Sequence, residues 1–376
     1  MSILGGLVRK KITGFKEIKE NMIGKQIEEL STPAIIADYD EIKSNLSKLD
    51  NYFREKKCKL RPHFKSHKCV TLAILQLEQP NTIGITCAKL SEAEQLVNGG
   101  VKDVLIANQV IGVDKVKRVA LLNKNAIVRI AVDSVEGIEQ LNNAAVEFGV
   151  VIGVLVEVDI GMNRGGVQPG NPVLELAELI STKIGLRFDG LQCYEGHIIT
   201  LPNYNERKQR VELEMKPLIE TRKLLEQKGY SIFVSSGGTG TYDITGNIDG
   251  IDELQCGSYA LMDSAYKAIR PEFLNARYIL ATIISKRGDV ITTDVGIKGM
   301  GTEYGTPELI GYPDAQNLFV SEEHSVFKNI NANIGDKIKI LPPHGCTTNN
   351  FYSQMWIARN NIIEDVWTIE GRGCLE

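Results

Sequence analysis

The chain has 376 residues, a formal net charge of −4 and a hydrophobic content of 43%. That length allows two domains, or one large barrel with an appendage. An acidic balance without a basic stripe argues against nucleic acid as a partner, and no apolar run reaches the roughly 20 residues of a membrane span. The N-terminal MSILGGLVRKKITGFKEIKENM has its charges after a short apolar patch and no long apolar core, so no signal peptide is expected. Seven cysteines without framework spacing suit a reduced, cytoplasmic setting.

In chain order, residues 8–30 place Val8, Ile12, Phe15, Ile18, Met22, Ile23, Ile27 and Leu30 at near-helical spacing. They read as an N-terminal helical extension, assigned residues 1–31. AIIADYD (34–40) reads as a short buried strand, with Asp40 capping a helix over Glu41–Lys56. Strands are then expected at 58–63, 82–88, 103–108, 126–133, 151–160, 186–196, 231–238 and 252–259. Helical patterns lie between most of them: Val70–Gln79, Ser91–Asn98, Gly112–Asn123, Ser134–Phe148, Asn171–Ser181 and Tyr204–Lys228. This alternation predicts an α/β fold of the (β/α)8 TIM type over residues 32–264. An open doubly wound sheet is the competing fold, weakened because no glycine-rich fingerprint occupies the first βα turn. From 265 to 376 the pattern becomes β-rich, with strands at 277–286, 289–296, 337–343, 353–360 and 362–371. Arg287-Gly288 and Asn360-Asn361 stand where hairpin tips belong. A smaller all-β domain is therefore expected after the barrel.

Functional residues of such a barrel gather where its strands end. The first of the eight strands runs into CKLRPHFKSHKC (58–69). If the extended chain continues, Arg61, His63, Lys65 and His67 share one face. Like-charge neighbours would lower the pKa of Lys65 and favour the neutral amine that Schiff-base chemistry needs. VEVDIGMNRGG (156–166) places Arg164 at a strand end, and Tyr194-Glu195-Gly196-His197 follows another. SSGGTGTY (235–242) offers hydroxyls and accessible backbone N–H groups suited to a phosphate. In PPHGCTTNN (342–350), His344 and Cys346 are two residues apart. In extended chain they would point the same way as a zinc-type ligand pair, leaving further positions open. His324 in SEEH (321–324) is a candidate extra partner. Alone, each signal is weak: basic strands, glycine-rich turns, surface arginines and H-x-C pairs are common without any such role.

Together, R-P-H-F-K-S-H-K (61–68), T-C-A-K (86–89), V-D-I-G-M-N-R-G-G-V (158–167), S-G-G-T-G-T (236–241), G-S-Y-x-x-M-D (257–263), S-E-E-H and P-x-H-x-C-T-T form an ordered set. From about Thr32 onward the chain resembles the D-serine dehydratase / D-threonine aldolase family. These are fold-type III pyridoxal phosphate (PLP) enzymes related to alanine racemase. The resemblance implies that Lys65 is the Schiff-base lysine and that Arg164 faces the pyridine nitrogen. It also implies that Ser236, Gly238, Thr239, Gly257, Ser258 and Tyr259 lie in the phosphate-binding segments, with Tyr194 also at the cofactor. His344 and Cys346 match a divalent-metal pair, and a thiolate favours zinc over manganese or magnesium. The implied substrate is a small D-3-hydroxy amino acid and the implied assembly a homodimer. Aldolases of the family tend to carry a carboxylate where Cys346 stands, so the cysteine points to dehydration: D-serine, D-threonine or 3-hydroxy-D-aspartate to a 2-oxo acid and ammonia. Aldol cleavage is the alternative. A racemase is a further one, needing a second base such as Tyr194 or Tyr304. A non-catalytic PLP carrier and a zinc-stapled structural protein are weaker alternatives, since the first lacks a β-domain and the second needs more ligands.

Overall fold

The computed structural model of the protein describes residues 22–376. Nine strands and eight helices come first. They are β1 (Ala34–Asp38), α1 (Tyr39–Phe53), β2 (Lys59–Leu60), α2 (Val70–Leu77), β3 (Ile85–Cys87), α3 (Leu90–Asn98), β4 (Asp103–Ile106), α4 (Val113–Leu122), β5 (Ile127–Val132), α5 (Val135–Phe148), β6 (Ile152–Glu157), α6 (Asn171–Ser181), β7 (Leu186–Gln192), α7 (Tyr204–Gln227), β8 (Phe233–Ser236), α8 (Tyr242–Thr245) and β9 (Glu253–Leu254). Strands β2 to β9 form one parallel sheet in the order β2-β9-β8-β7-β6-β5-β4-β3. Parallel bridges Leu60–Thr82 and His63–Thr86 join its two ends. The expected eight-stranded barrel is therefore present, and the open-sheet alternative is not.

Two periods build it. On β4, β5 and β6 one set of side chains, including Val104, Ile130 and Val154, is buried in the same core as Leu96, Val119 and Leu141 of the helices. The alternate set faces inward, and it changes character along the axis. At the strand starts it is ionic. Arg61 pairs with Glu253 at 2.8 Å and with Asp103, Arg129 with Asp103 and Asp189 at 2.8 Å each, and Arg187 with Asp189. Gly84 and Gly153 leave room for this, since a Cβ there would meet Arg61 Nη1 at 2.0 Å and Asp189 Oδ2 at 2.3 Å. Higher up come Leu105, Ala131 and Leu155, all fully buried.

The second sheet uses β10 (Arg277–Arg287), β11 (Val290–Thr293), β12 (Glu308–Ile310), β13 (Gln316–Val320), β14 (Ser325–Lys328), β15 (Lys337–Leu341), β16 (Gln354–Arg359) and β17 (Ile362–Thr368). Short helices α9 (Ser264–Lys267) and α10 (Gly345–Phe351) flank β10 to β15. A bulge at Ile283/Ser285 divides β10, whose first half pairs β1 and β15 and whose second half pairs β11. Both expected hairpin tips occur, with positive φ at Gly288, Asn360 and Asn361.

Several expectations change. The strand at 34–38 does not belong to the barrel assigned to 32–264: it pairs antiparallel with β10 and parallel with β16, so it lies in the second sheet. Asp38, not Asp40, caps α1, accepting from Asp40 N and Glu41 N at 3.0 Å. The helix expected over 8–30 falls outside the described residues as far as 21. Over 22–30 the chain instead follows the edge of the β16–β17 hairpin, with Gly24 N to Ile363 O at 2.8 Å and Ile27 N to Asn361 O at 2.9 Å. Only a single 3-10 turn, Ile27–Glu29, remains there. Strands β12, β13 and β14 were not expected.

Candidate active site

The lysine turn is where local sequence and long-range packing meet. The extended chain ends at His63, and Phe64–Ser66 coil into a 3-10 turn. The shared face expected for Arg61, His63, Lys65 and His67 is therefore broken. Arg61 turns down into the ionic layer at the strand starts. His63 Nδ1 accepts the Lys65 N–H at 3.3 Å and caps the turn. His67 is fully buried, and its Nδ1 accepts the Cys69 N–H at 3.2 Å. Its Nε2 must therefore carry the proton and donate to Gln76 Oε1 at 3.1 Å, while Gln76 Nε2 donates to Tyr259 Oη at 3.1 Å. The two histidines thus build the turn and tie it to the Gly257–Tyr259 loop.

Lys65 is left facing a cavity of about 190 Å³ whose lining includes Arg164, Tyr194, Gly238, Thr239, Ser258 and Cys346. No carboxylate among the described residues pairs with it. Its pKa is lowered, chiefly by burial, with Arg164 and Lys68 adding and Cys346 opposing. Like-charge neighbours contribute, as expected, but desolvation is the larger cause. Lys65 Nζ lies 5.3 Å from the centre of the Tyr194 ring and Arg164 Cζ lies 5.6 Å from it, so the same aromatic ring packs against both side chains. Arg164 is half-exposed and stands 3.6 Å from Glu157, the last residue of β6. Its loop is pinned by Asp159 Oδ1, which accepts from Gly161 N and Asn163 N, and by Asp133 Oδ2, which accepts from Gly166 N. A Cβ at Gly166 (φ 96°) would meet Asp159 N at 2.8 Å, so this close return of the loop needs glycine.

Two glycine loops form the opposite wall. Tyr259 N donates to Thr239 Oγ1 at 3.1 Å and joins them. Among the described residues, the backbone N–H groups of Gly238, Thr239, Gly257 and Ser258 find no protein acceptor. A Cβ at Gly238 would meet Ile199 Cδ1 at 2.3 Å, and one at Gly257 would meet the His63 carbonyl at 3.0 Å. Free donors around a cradle without side chains fit a phosphate. An accessible lysine amine nearby fits the aldehyde of PLP. Two expected cofactor residues do not reach the cavity with their side chains. Ser236 Oγ is buried between Cys193 Sγ at 3.1 Å and Glu195 Oε2 at 3.3 Å, and the Tyr259 hydroxyl points into the core. Sequence reasoning missed Asn108, Gln192, Gln255 and Tyr266, which also line the cavity. For Asn108, Gln192 and Gln255 the available signal was a polar residue at a barrel strand's C-terminal end.

The β-domain brings the final pair. His344 precedes α10, so His344-Gly345-Cys346 is a helix start rather than the expected extended chain. Gly345 is packed against Arg277, where a Cβ would meet Nη2 at 1.8 Å, and its N–H donates to buried Asp263 at 2.8 Å. Asn349 Nδ2 donates to Ser66 O at 2.8 Å, which locks α10 onto the lysine turn. Cys346 lines the cavity with Lys65. Burial opposes protonation of His344, but Cys346 and Glu303 outweigh it and raise its pKa to about 9. His324 lies elsewhere, exposed in the β13–β14 turn with its carbonyl accepting from Ser321 N at 2.8 Å. Tyr304, the other candidate second base, is 63% exposed and packs its ring on His344.

A barrel with a lysine and a phosphate cradle at its mouth, closed by a β-domain, defines a class of PLP enzymes. Residues 37–265 match the family "Alanine racemase, N-terminal domain", and residues 276–358 match a serine dehydratase domain. The 3-hydroxy-D-aspartate aldolase of Paracoccus denitrificans (strain Pd 1222) is 34% identical, over 93% of this chain and 94% of its own. The crystal structure of D-threonine aldolase from Filomicrobium marinum superposes with a TM-score of 0.92 at 32% identity, covering 94% of this chain and 99% of that one. The D-threo-3-hydroxyaspartate dehydratase of Delftia sp. (strain HT23) is 26% identical over 85% of this chain and 92% of its own. The chain belongs to the D-serine dehydratase / D-threonine aldolase family of alanine racemase-like PLP enzymes.

Proposed function

We propose that this protein is an aldehyde-lyase that cleaves the Cα–Cβ bond of D-3-hydroxy amino acids, releasing glycine and an aldehyde. The observation that carries this reading is the gradient of similarity: both aldolases match at higher identity, and over more of the chain, than the dehydratase does. It replaces dehydration, which the cysteine at 346 favoured, as the main reading.

PLP, when bound, supplies the sink for the electron pair left on Cα as the bond breaks. Lys65 would hold it covalently, the N–H groups of Gly238, Thr239, Gly257 and Ser258 its phosphate, and Arg164 the far side of the ring. Burial keeps the Lys65 amine ready to act as a neutral base. Thiol and imidazole at Cys346 and His344 form a donor set for a divalent cation, and zinc suits it best. With only these protein ligands, further positions stay open to a substrate hydroxyl, whose proton must leave as Cα–Cβ breaks. Cys346 itself favours a second reading, in which the α-proton leaves and then hydroxide, giving a 2-oxo acid and ammonia.

The deciding assay incubates the PLP- and zinc-loaded protein with D-threonine, D-serine, 3-hydroxy-D-aspartate and their L-forms. Glycine, aldehyde, 2-oxo acid and ammonia are then quantified separately. Glycine from the D-forms is expected. A yield made up of 2-oxo acid and ammonia would overturn cleavage in favour of dehydration.

A further inference from the structure

The loop after β11 reaches back to the metal pair in a way that no motif announced. Gly301 forms an antiparallel bridge with His344, and its N–H donates to Thr348 Oγ1 at 3.1 Å. Thr348 Oγ1 in turn donates to the His344 carbonyl at 2.6 Å. Close approach is possible because residue 301 is glycine: a Cβ there would meet Thr347 Cβ at 2.8 Å, Glu303 Oε2 at 2.9 Å and the His344 carbonyl at 3.1 Å. The bridge delivers Glu303, whose carboxylate bonds His344 Nδ1 and accepts from Thr347 Oγ1. The Tyr304 ring lies 4.4 Å from the imidazole centre and walls its flank. The His344 side chain is only 16% exposed, so the imidazole has little freedom to leave this contact.

A ring nitrogen already occupied cannot bind a metal, and a carboxylate on Nδ1–H leaves the Nε2 lone pair as the free ligand. We propose that Glu303 is a positioning residue for the cation site. It fixes the tautomer and plane of His344 so that Nε2 is presented beside Cys346. The inference rests on the divalent-metal reading above. It adds that a residue from a separate loop, 41 positions before His344 and without a ligand role of its own, sets the affinity of the site.

The test measures zinc affinity by chelator competition on the PLP-loaded full chain, in the parent and in Glu303→Ala and Glu303→Gln. The same proteins carrying cobalt(II) give a thiolate-to-metal absorption band that reports the coordination geometry. Glu303→Ala is expected to loosen zinc by about 10- to 100-fold, the usual effect of losing such a partner, and to shift the cobalt band. Glu303→Gln keeps an acceptor for Nδ1–H and is expected to stay within a few-fold of the parent. The Lys65 Schiff-base absorbance, unchanged in all three, shows that the barrel site is intact. Parent-like affinity in Glu303→Ala overturns the role of Glu303 while leaving the metal reading standing, as does Glu303→Gln being as weak as Glu303→Ala. A parent protein that takes up neither metal overturns both.

Discussion

At the start of the barrel strands the inward charges form a continuous chain, Glu253–Arg61–Asp103–Arg129–Asp189–Arg187, in which each has an opposite partner in contact. At the other end, Lys65 has no carboxylate partner among the described residues, and half-exposed Arg164 stands 3.6 Å from Glu157. The same inner face therefore carries charge for two purposes. Buried charges that only hold the barrel must be compensated, because an isolated buried ion costs far more than one mutation can return. The groups that face the cavity are paired more loosely: Arg164 has one long, solvent-exposed contact with Glu157, and burial limits the cost at Lys65 by favouring its neutral form. Function sits where the pairing loosens.

That contrast can be broken from either side. The largest effect is expected at the open end. Lys65→Ala should abolish the Schiff-base absorbance and lower turnover by on the order of 10⁴-fold, the upper range for a positioned proton-transfer group, while the denaturation midpoint changes little. A variant that keeps the band would remove Lys65 from the chemistry. At the closed end the pattern should invert. Arg61→Met strands the buried Glu253, while Asp103 keeps Arg129, and should cost about 3–5 kcal/mol of stability, as breaking a buried ion pair does. Activity per folded molecule should stay near that of the parent. Urea denaturation followed by circular dichroism reads the first quantity and active-site titration the second; an unshifted midpoint would mean that the ionic layer carries no stability.

Much of this was legible before any coordinates, because it is written in local periods. The six helices expected from Val70 to Lys228 form within about two residues of their expected ends, and the Gly288 and Asn360-Asn361 tips close the hairpins they announce. What local sequence could not carry is direction and partner. Ser236 and Tyr259 sit in the right segments, yet their side chains turn into the core, since a motif names residues and not the way they point. Ala34–Asp38 looks like any short apolar strand, and only pairing with residues 240 or more positions away assigns it to the second sheet. Glu303 carries no signature at all, because its role depends on a backbone bridge to His344. Strands β12 to β14 are only three to five residues long, and β12 and β13 are largely exposed, so alternation is too brief to register.

The smallest effect concerns the polar but uncharged scaffold beneath Lys65, which should respond to acid. His67 is fully buried, and burial lowers its pKa from 6.5 to about 4 against the opposing pull of its bonds to Gln76 and Cys69. In the unfolded chain the same imidazole takes up a proton below pH 6.5, whereas the native state resists until about pH 4. The unfolded state thus binds more protons across that window, and linkage makes native stability fall as the pH drops through it. With 1.36 kcal/mol per pH unit of difference, the loss is about 3 kcal/mol between pH 6.5 and 4, and it is absent above pH 6.5. His67→Gln removes the titrating group, so its urea midpoint should decline less than the parent's between pH 7 and pH 4.5. Each protein is compared with itself, so any cost of the substitution at neutral pH cancels. Equal declines would show that His67 does not remain neutral, and that the open end of the barrel tolerates a buried charge that the closed end must pair.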